Sequence, residues 1–190
     1  MVGNIIVDMV DSQVIAAIDS PEKIQEAIDS NANIAFLLTG TILTLPEYIT
    51  LLKRADMYVF LHLDFIEGIS NDKSGIKYIA TVLKPDGIIT TKNHLIKFAK
   101  EEGLKTIQRL FLIDHNAIKK GQRLVESSKP DAVEVLPGIM PRVIYNLTET
   151  FQTPIIAGGL IENEQEIHHS LRAGALAISV GNPHLWKCGI

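Results

Sequence analysis

Short apolar runs alternate with amphipathic stretches along this chain, and residues that break regular structure punctuate them. Val14 to Ile18, Ile34 to Leu38, Met57 to Leu63, Gly87 to Thr91, Thr106 to Ile113, Ala132 to Leu136, Ile155 to Ala157 and Ala177 to Val180 each read as one strand. Nearly unbroken apolar runs of this length are the mark of strands buried on both faces, as in a parallel sheet. Between them apolar residues recur at helical spacing. Ile24, Ala27 and Ile28 follow Asp19-Ser20-Pro21, where Asp19 or Ser20 is placed to cap a helix. Leu45 to Ala55 carries Pro46 in its first turn and predicts Leu51 and Leu52 facing inward. A polar loop from Glu67 to Gly75 leads into a helix through Val82. Asn93 is placed to cap a helix bearing Leu95, Ile96 and Ala99, closed by Gly103. A basic helix begins at Asp114 or Asn116 and runs through Ser127; another carries Val143, Ile144 and Leu147; a last one spans Glu164 to Ala173.

Eight strands alternating with seven helices imply right-handed βαβ units and a closed parallel (β/α)8 TIM-type barrel. Residues 1–190 form a single domain on this reading. The chain is short for such a barrel, whose usual size is about 250 residues. The shortage falls at the end, where Pro183 to Ile190 is too brief for a normal eighth helix. The truncated last helix leaves a flank to be covered by the N-terminal residues or by another subunit, so a homo-oligomer is one expectation.

Composition changes the picture little: 46% of residues are hydrophobic and 21% charged, with a formal net charge of −4. That excludes general attraction to polyanions and leaves only a local patch for nucleic acid. Cys188 is the single cysteine and has no disulfide partner within the chain, which fits a reducing compartment. The N-terminus lacks a basic stretch ahead of a long apolar run, and Ile34 to Leu45 is too short and too interrupted to span a bilayer. The expectation is a cytoplasmic protein with no membrane contact.

On this fold, ligand sites gather at the carboxyl ends of the strands. Pro154-Ile155-Ile156-Ala157-Gly158-Gly159-Leu160 ends its strand on two glycines, and the next strand closes on Gly181-Asn182. Glycine there lets backbone N–H groups approach a ligand, and the last two units of such barrels often hold a phosphate. The predicted phosphate contacts are therefore Gly158, Gly159, Gly181 and Asn182; tight turns are the plainer role for the same glycines. Asp64 and Glu67 suit ligand hydroxyls or acid–base work, or else a helix cap and a solvated loop. Lys92 stands where a cation meets a ligand phosphate, or is plain surface. Arg109 and Glu134 are charged groups on neighbouring buried strands, expected to pair inside the barrel or else to serve as ligand-site groups. His62 fits either a hydrogen-bonded core residue or a ligand contact. His168-His169 lacks a third group at metal spacing, so no metal is expected. No nucleophile elbow, P-loop or dinucleotide fingerprint is present, so no catalytic residue is assigned.

Between Lys92 and Lys129 nine basic residues face four acidic ones, against the negative balance of the whole chain. Lys97 and Lys100 fall on one helix, and Lys119, Lys120 and Arg123 on the next. Neighbouring barrel helices would join them into one basic wall able to hold nucleic-acid phosphates, or into an ordinary solvated face.

Several of these blocks resemble the glycerol-uptake operon antiterminator family, the glycerol 3-phosphate-responsive regulators of Gram-positive bacteria. They are Ile34 to Leu43 (IAFLLTGTIL), His62 to Ser70 (HLDFIEGIS), Asp86 to Lys92 (DGIITTK), Thr106 to Asp114 (TIQRLFLID), Lys129 to Pro141 (KPDAVEVLPGIMP) and Pro154 to Leu160 (PIIAGGL). The resemblance implies an effector, glycerol 3-phosphate, rather than a resident cofactor, and a second partner, the leader of a messenger RNA. Binding would stop a terminator hairpin from ending transcription of glycerol-utilisation genes. The family segment after the last strand departs from this chain at Val180-Gly181. An enzyme acting on a small phosphorylated polyol, an isomerase or transferase using Asp64, Glu67 and Glu134, is the alternative from the residues alone.

Overall fold

A computed structural model describes residues 6–7 and 10–188. Eight parallel strands close into a barrel in sequence order, each paired with the next and the last with the first. They are β1 Val14–Ile18, β2 Ile34–Leu37, β3 Tyr58–His62, β4 Gly87–Thr90, β5 Lys105–Phe111, β6 Ala132–Leu136, β7 Ile155–Gly158 and β8 Ala177–Val180. Around them lie α1 Lys23–Ile28, α2 Leu45–Arg54, α3 Lys73–Tyr78, α4 Asn93–Glu101, α5 His115–Ser128, α6 Pro141–Thr150 and α7 Glu164–Arg172. A π-helical turn, Ile79–Leu83, extends α3, and a 3-10 turn, Pro183–Lys187, follows β8.

Alternation along each strand divides the core in two. Outward residues such as Val59, Leu61, Val133, Val135, Ala157 and Ile178 pack under the helices. Inward residues Ile15, Ile34, Phe36, Phe60, Ile89, Ile107 and Ile156 fill the lower barrel, with Ile6 buried among them. Phe36 and Phe60 meet edge to face at 5.9 Å between ring centres. Two residues further along the strands the inward face turns polar: His62, Arg109, Glu134 and Ser179 are all buried there. The lower barrel is therefore a packed apolar plug, and the chemistry sits above it at the carboxyl end.

The local departures from expectation have plain causes. Neither Asp19 nor Ser20 caps α1: its N-cap is Glu22, without a side-chain bond, and Asp19 instead pairs with Lys23 at 2.7 Å. Asn93 is the first residue of α4 rather than its cap, which is Lys92. Leu51 points outward while Leu52 is fully buried, because adjacent helical positions are about 100° apart. Asp114, not Asn116, starts α5 by accepting the Ala117 N–H at 2.7 Å. Gly103, at φ 79°, follows α4 as expected.

The last flank is closed from within the chain. Trp186 in the 3-10 turn is fully buried and donates its indole N–H to the Val180 carbonyl at 2.7 Å. This turn packs against β1, β8 and α1 where the other units carry a full helix, while residues 1–5 and 8–9, which the same flank was expected to use, lie outside the described residues. None of the described helices is long and apolar enough to cross a membrane.

Candidate ligand site at the barrel mouth

Glu134 organises the mouth. Its carboxylate is fully buried on β6 and accepts two hydrogen bonds. Arg109 Nε, from the register partner on β5, donates to Oε2 at 2.5 Å, and Ser179 Oγ, from β8, donates to Oε1 at 2.6 Å. The expected Arg109–Glu134 pair is thus formed, with Ser179 as a third member. Ser179 was legible only through its register: it lies opposite Gly158, and its hydroxyl reaches across β7 to β6.

That crossing explains Gly158. A Cβ at this position would stand 2.2 Å from Ser179 Oγ and 3.0 Å from Glu134 Oε1. The glycine keeps the path of the Ser179–Glu134 bond open, a role separate from any contact with a ligand. Gly159 serves differently. It adopts φ 77° and is followed by Leu160 at φ 61°, so two consecutive left-handed residues turn the chain over the mouth. The first is open to glycine without strain, but a leucine is held there at a cost of order 1 kcal/mol or more. Among the described residues the N–H groups of Gly159, Leu160, Gly181 and Asn182 donate no backbone or side-chain hydrogen bond. They remain open to an anion. The other atoms of the β8 turn are committed: the Gly181 carbonyl accepts Lys23 Nζ at 3.0 Å, and Asn182 Oδ1 accepts the His184 N–H at 3.1 Å.

Asp64 and Lys92 form the opposite side. Asp64, just past β3, accepts the Thr91 N–H at 2.8 Å and pairs with Lys92 Nζ at 3.2 Å. Its helix-cap reading is therefore set aside, since these bonds tie the β3 loop to the β4 loop. Burial works to raise the Asp64 pKa, but the Thr91 N–H and the Lys92 ammonium outweigh it and hold the carboxyl below its ordinary value. Glu67 lies further out. Its side chain is exposed, and its backbone pairs with the β2 loop through Ile42 N–H to Glu67 O at 2.9 Å and Glu67 N–H to Gly40 O at 3.1 Å.

His62 is buried, as its core reading expects, but without the hydrogen bonds which that reading supposes. It is 1% exposed, on the inward face of β3, and neither ring nitrogen has a hydrogen-bond partner. Its Nδ1 is 3.8 Å from Asp64 Oδ2, beyond hydrogen-bond reach. Burial, the Arg109 guanidinium and the Lys92 ammonium together depress its pKa to about 3, against the pull of Asp64, so the imidazole is neutral.

The rim of the mouth is apolar. Phe111, Ile113 and Leu160 are exposed there and, with Leu136, Pro137 and Gly159, line an open hollow of about 500 Å3. Outside the barrel, Lys119, Lys120 and Arg123 are exposed on α5 and make no salt bridge among the described residues. Lys97 and Lys100 are engaged: Lys97 Nζ donates to Ser127 Oγ at 3.1 Å, and Lys100 Nζ to the carbonyl of Lys129, the C-cap of α5.

Similarity to known proteins supplies the context for this mouth. Residues 14–186 match the family described as "Glycerol-3-phosphate responsive antiterminator". A glycerol uptake operon antiterminator regulatory protein from Listeria monocytogenes has the same fold, with a TM-score of 0.90 at 32% identity over 94% of this chain and 97% of that one. A glycerol uptake operon antiterminator-related protein from Thermotoga maritima gives 0.82 at 32% identity, covering 92% and 98%. An uncharacterized Escherichia coli protein, YgcP, is 38% identical over 173 residues, 91% of each chain. With the fold in agreement and the family match spanning residues 14–186, the chain belongs to the glycerol-3-phosphate responsive antiterminator family.

Proposed function

We propose that the protein is a cytoplasmic sensor of glycerol 3-phosphate that, once liganded, binds an mRNA leader and prevents a terminator hairpin from stopping transcription of glycerol uptake and utilisation genes. The observation that carries this reading is the family match over residues 14–186, joined to a mouth built for a small anion. Uncommitted N–H groups at Gly159, Leu160, Gly181 and Asn182 face the phosphate end, with Lys92 and Arg109 as nearby cations. The polar wall of His62 and Asp64 faces the polyol end. Turnover is not the purpose of such a site: the buried Glu134 and the partly buried Asp64 are both fixed in ion pairs and hydrogen bonds.

The RNA surface in this reading is the outer face of α5. Lys119, Lys120 and Arg123 are free to meet phosphates, whereas Lys97 and Lys100 brace the lower end of α5 and contribute less. Ligand acts by favouring the RNA-competent state, which requires different ligand affinities in the two states. Replacing Lys119, Lys120 and Arg123 together by Glu is expected to abolish leader binding in a gel-shift or fluorescence titration while leaving glycerol 3-phosphate affinity unchanged. Leader RNA bound equally well by that variant would remove α5 as the surface. Wild-type protein that binds leader RNA no better with ligand than without it would remove the sensor reading.

A further inference from the structure

We infer that His62 reads a hydroxyl group of a small phosphorylated polyol and sets the specificity of the mouth for it, a role that rests on the sensor reading above. The imidazole is 1% exposed and makes no hydrogen bond through either nitrogen. Leaving both polar atoms of a buried side chain without partners is costly, and native interiors rarely do so without a reason. The two other buried polar atoms in this condition differ in kind. Gln108 Oε1 belongs to an amide whose nitrogen already donates to the carbonyls of Thr90 and Arg109, and Asn93 Oδ1 lies on α4, outside the barrel. Among the described residues His62 alone leaves its whole polar function unpartnered, and it does so on the inward face, directly above the apolar plug of Phe60.

Every charged neighbour is committed elsewhere. Asp64 is held by Thr91 and Lys92, and Arg109 is held by Glu134. Asp64, with Oδ2 3.8 Å from Nδ1, comes close to the ring but not within hydrogen-bond reach of it. A neutral imidazole offers one N–H donor and one lone-pair acceptor. A hydroxyl group offers the same two in complement, whereas a phosphate oxygen offers acceptors only. Burial and the adjacent cations keep the ring neutral. The division of the mouth follows: the anionic end of a ligand goes to the cations and the open N–H groups of the β7 and β8 turns, and a hydroxyl goes to His62. Phe65, half exposed, packs edge-on against the imidazole with ring centres 4.7 Å apart and covers it on the solvent side.

The test is calorimetric titration of wild type, His62→Leu and His62→Gln with three probes: glycerol 3-phosphate, 1,3-propanediol monophosphate and 1,2-propanediol 1-phosphate. Wild type is expected to bind at least one deoxy analogue ~10-fold or more weakly than glycerol 3-phosphate, because a site built to hydrogen-bond a hydroxyl rejects a ligand lacking it. His62→Leu is expected to bind all three with nearly equal, weak affinity. His62→Gln, which keeps a donor and an acceptor, is expected to restore part of the preference. The melting temperature of His62→Leu without ligand is expected to equal or exceed that of wild type, since no existing hydrogen bond is lost. Retention of the wild-type preference by a folded His62→Leu variant overturns the assignment while leaving the sensor reading intact. Failure of wild type to bind glycerol 3-phosphate overturns the sensor reading, and the assignment with it.

Discussion

Replacing Gly158 by alanine tests how the mouth is held together. The added Cβ would lie 2.2 Å from Ser179 Oγ and 3.0 Å from Glu134 Oε1, so the serine must swing away and its bond to the carboxylate is lost. A hydrogen bond to a charged group contributes about 1.5–3 kcal/mol. Forcing an extra carbon into a packed interior adds about 1–3 kcal/mol. The expected cost of Gly158→Ala is therefore roughly 3–5 kcal/mol. For a chain of this size that lowers the melting temperature by roughly 6–20 °C, at about 2–4 °C per kcal/mol. Ser179→Ala alone forfeits the bond but also removes the obstructing oxygen, and should cost about 1.5–3 kcal/mol. In the double variant the new methyl meets only the end of the Glu134 side chain and more distant backbone. The double variant should therefore be little worse than Ser179→Ala, so the coupling in a urea-denaturation cycle approaches the full Gly158→Ala cost of roughly 3–5 kcal/mol. Two strictly additive costs, or a Gly158→Ala variant within about 0.5 kcal/mol of wild type, would refute the idea that this glycine exists to let the Ser179–Glu134 bond pass.

Other expectations follow from the same geometry. Arg109→Leu leaves Glu134 charged and fully buried with its cation removed, which should cost about 3–5 kcal/mol, whereas Arg109→Leu combined with Glu134→Leu should recover most of that loss in chemical denaturation. His62 has a depressed folded-state pKa, so the unfolded chain binds more protons as pH falls below about 6.5 and stability drops toward the folded value of about 3. Urea melts between pH 6.5 and 4.5 should therefore show a shallower fall for His62→Leu than for wild type; equal slopes would contradict the burial of a neutral imidazole. Lys84 closes the turn after α3 at φ 51°, so Lys84→Gly should raise stability by about 0.5–1 kcal/mol, read as a higher denaturation midpoint.

Much of the architecture was readable before any coordinates, and for a simple reason. Buried parallel strands leave long apolar runs, and their helices leave a period near 3.6, so the count and order of elements follow directly. The Arg109–Glu134 pair was readable because two charges in such runs must meet. What escaped depended on packing in three dimensions. The reach of Ser179 across β7 needs the register of three strands, and Gly158 needs the position of that hydroxyl. Asp64 read as a helix cap or a hydroxyl ligand, because sequence spacing cannot show that the β4 loop folds back to offer it the Thr91 N–H. The closing of the last unit by Trp186 escaped for the same reason: a short, Pro-led segment has no periodicity to mark it as a lid over the barrel flank. Lys97 and Lys100 looked equivalent to Lys119 and Lys120 as charges, yet the first pair braces α5 and the second does not.

The mouth divides its labour between a rigid floor and adaptable edges. The Arg109–Glu134–Ser179 chain and the apolar plug below it are buried and mutually bonded. The uncommitted N–H groups, the exposed Leu160 and the half-exposed Phe65 lie on the turns above. A small anionic ligand drawn to those turns would bring together loops from opposite sides of the barrel. The end of β5 at Phe111 and the loop after it, which carries Ile113, run straight into the basic helix α5, so ordering at the mouth has a short covalent path to the proposed RNA surface.

Calorimetric titration of the purified protein with glycerol 3-phosphate, with glycerol and inorganic phosphate as controls and Lys92→Met as the comparison variant, addresses the central claim most directly. The account predicts saturable binding of the phosphate ester, binding of neither control at comparable concentration, and weaker binding by Lys92→Met. Absence of binding at millimolar ester, or equal binding of the ester and inorganic phosphate, would contradict it.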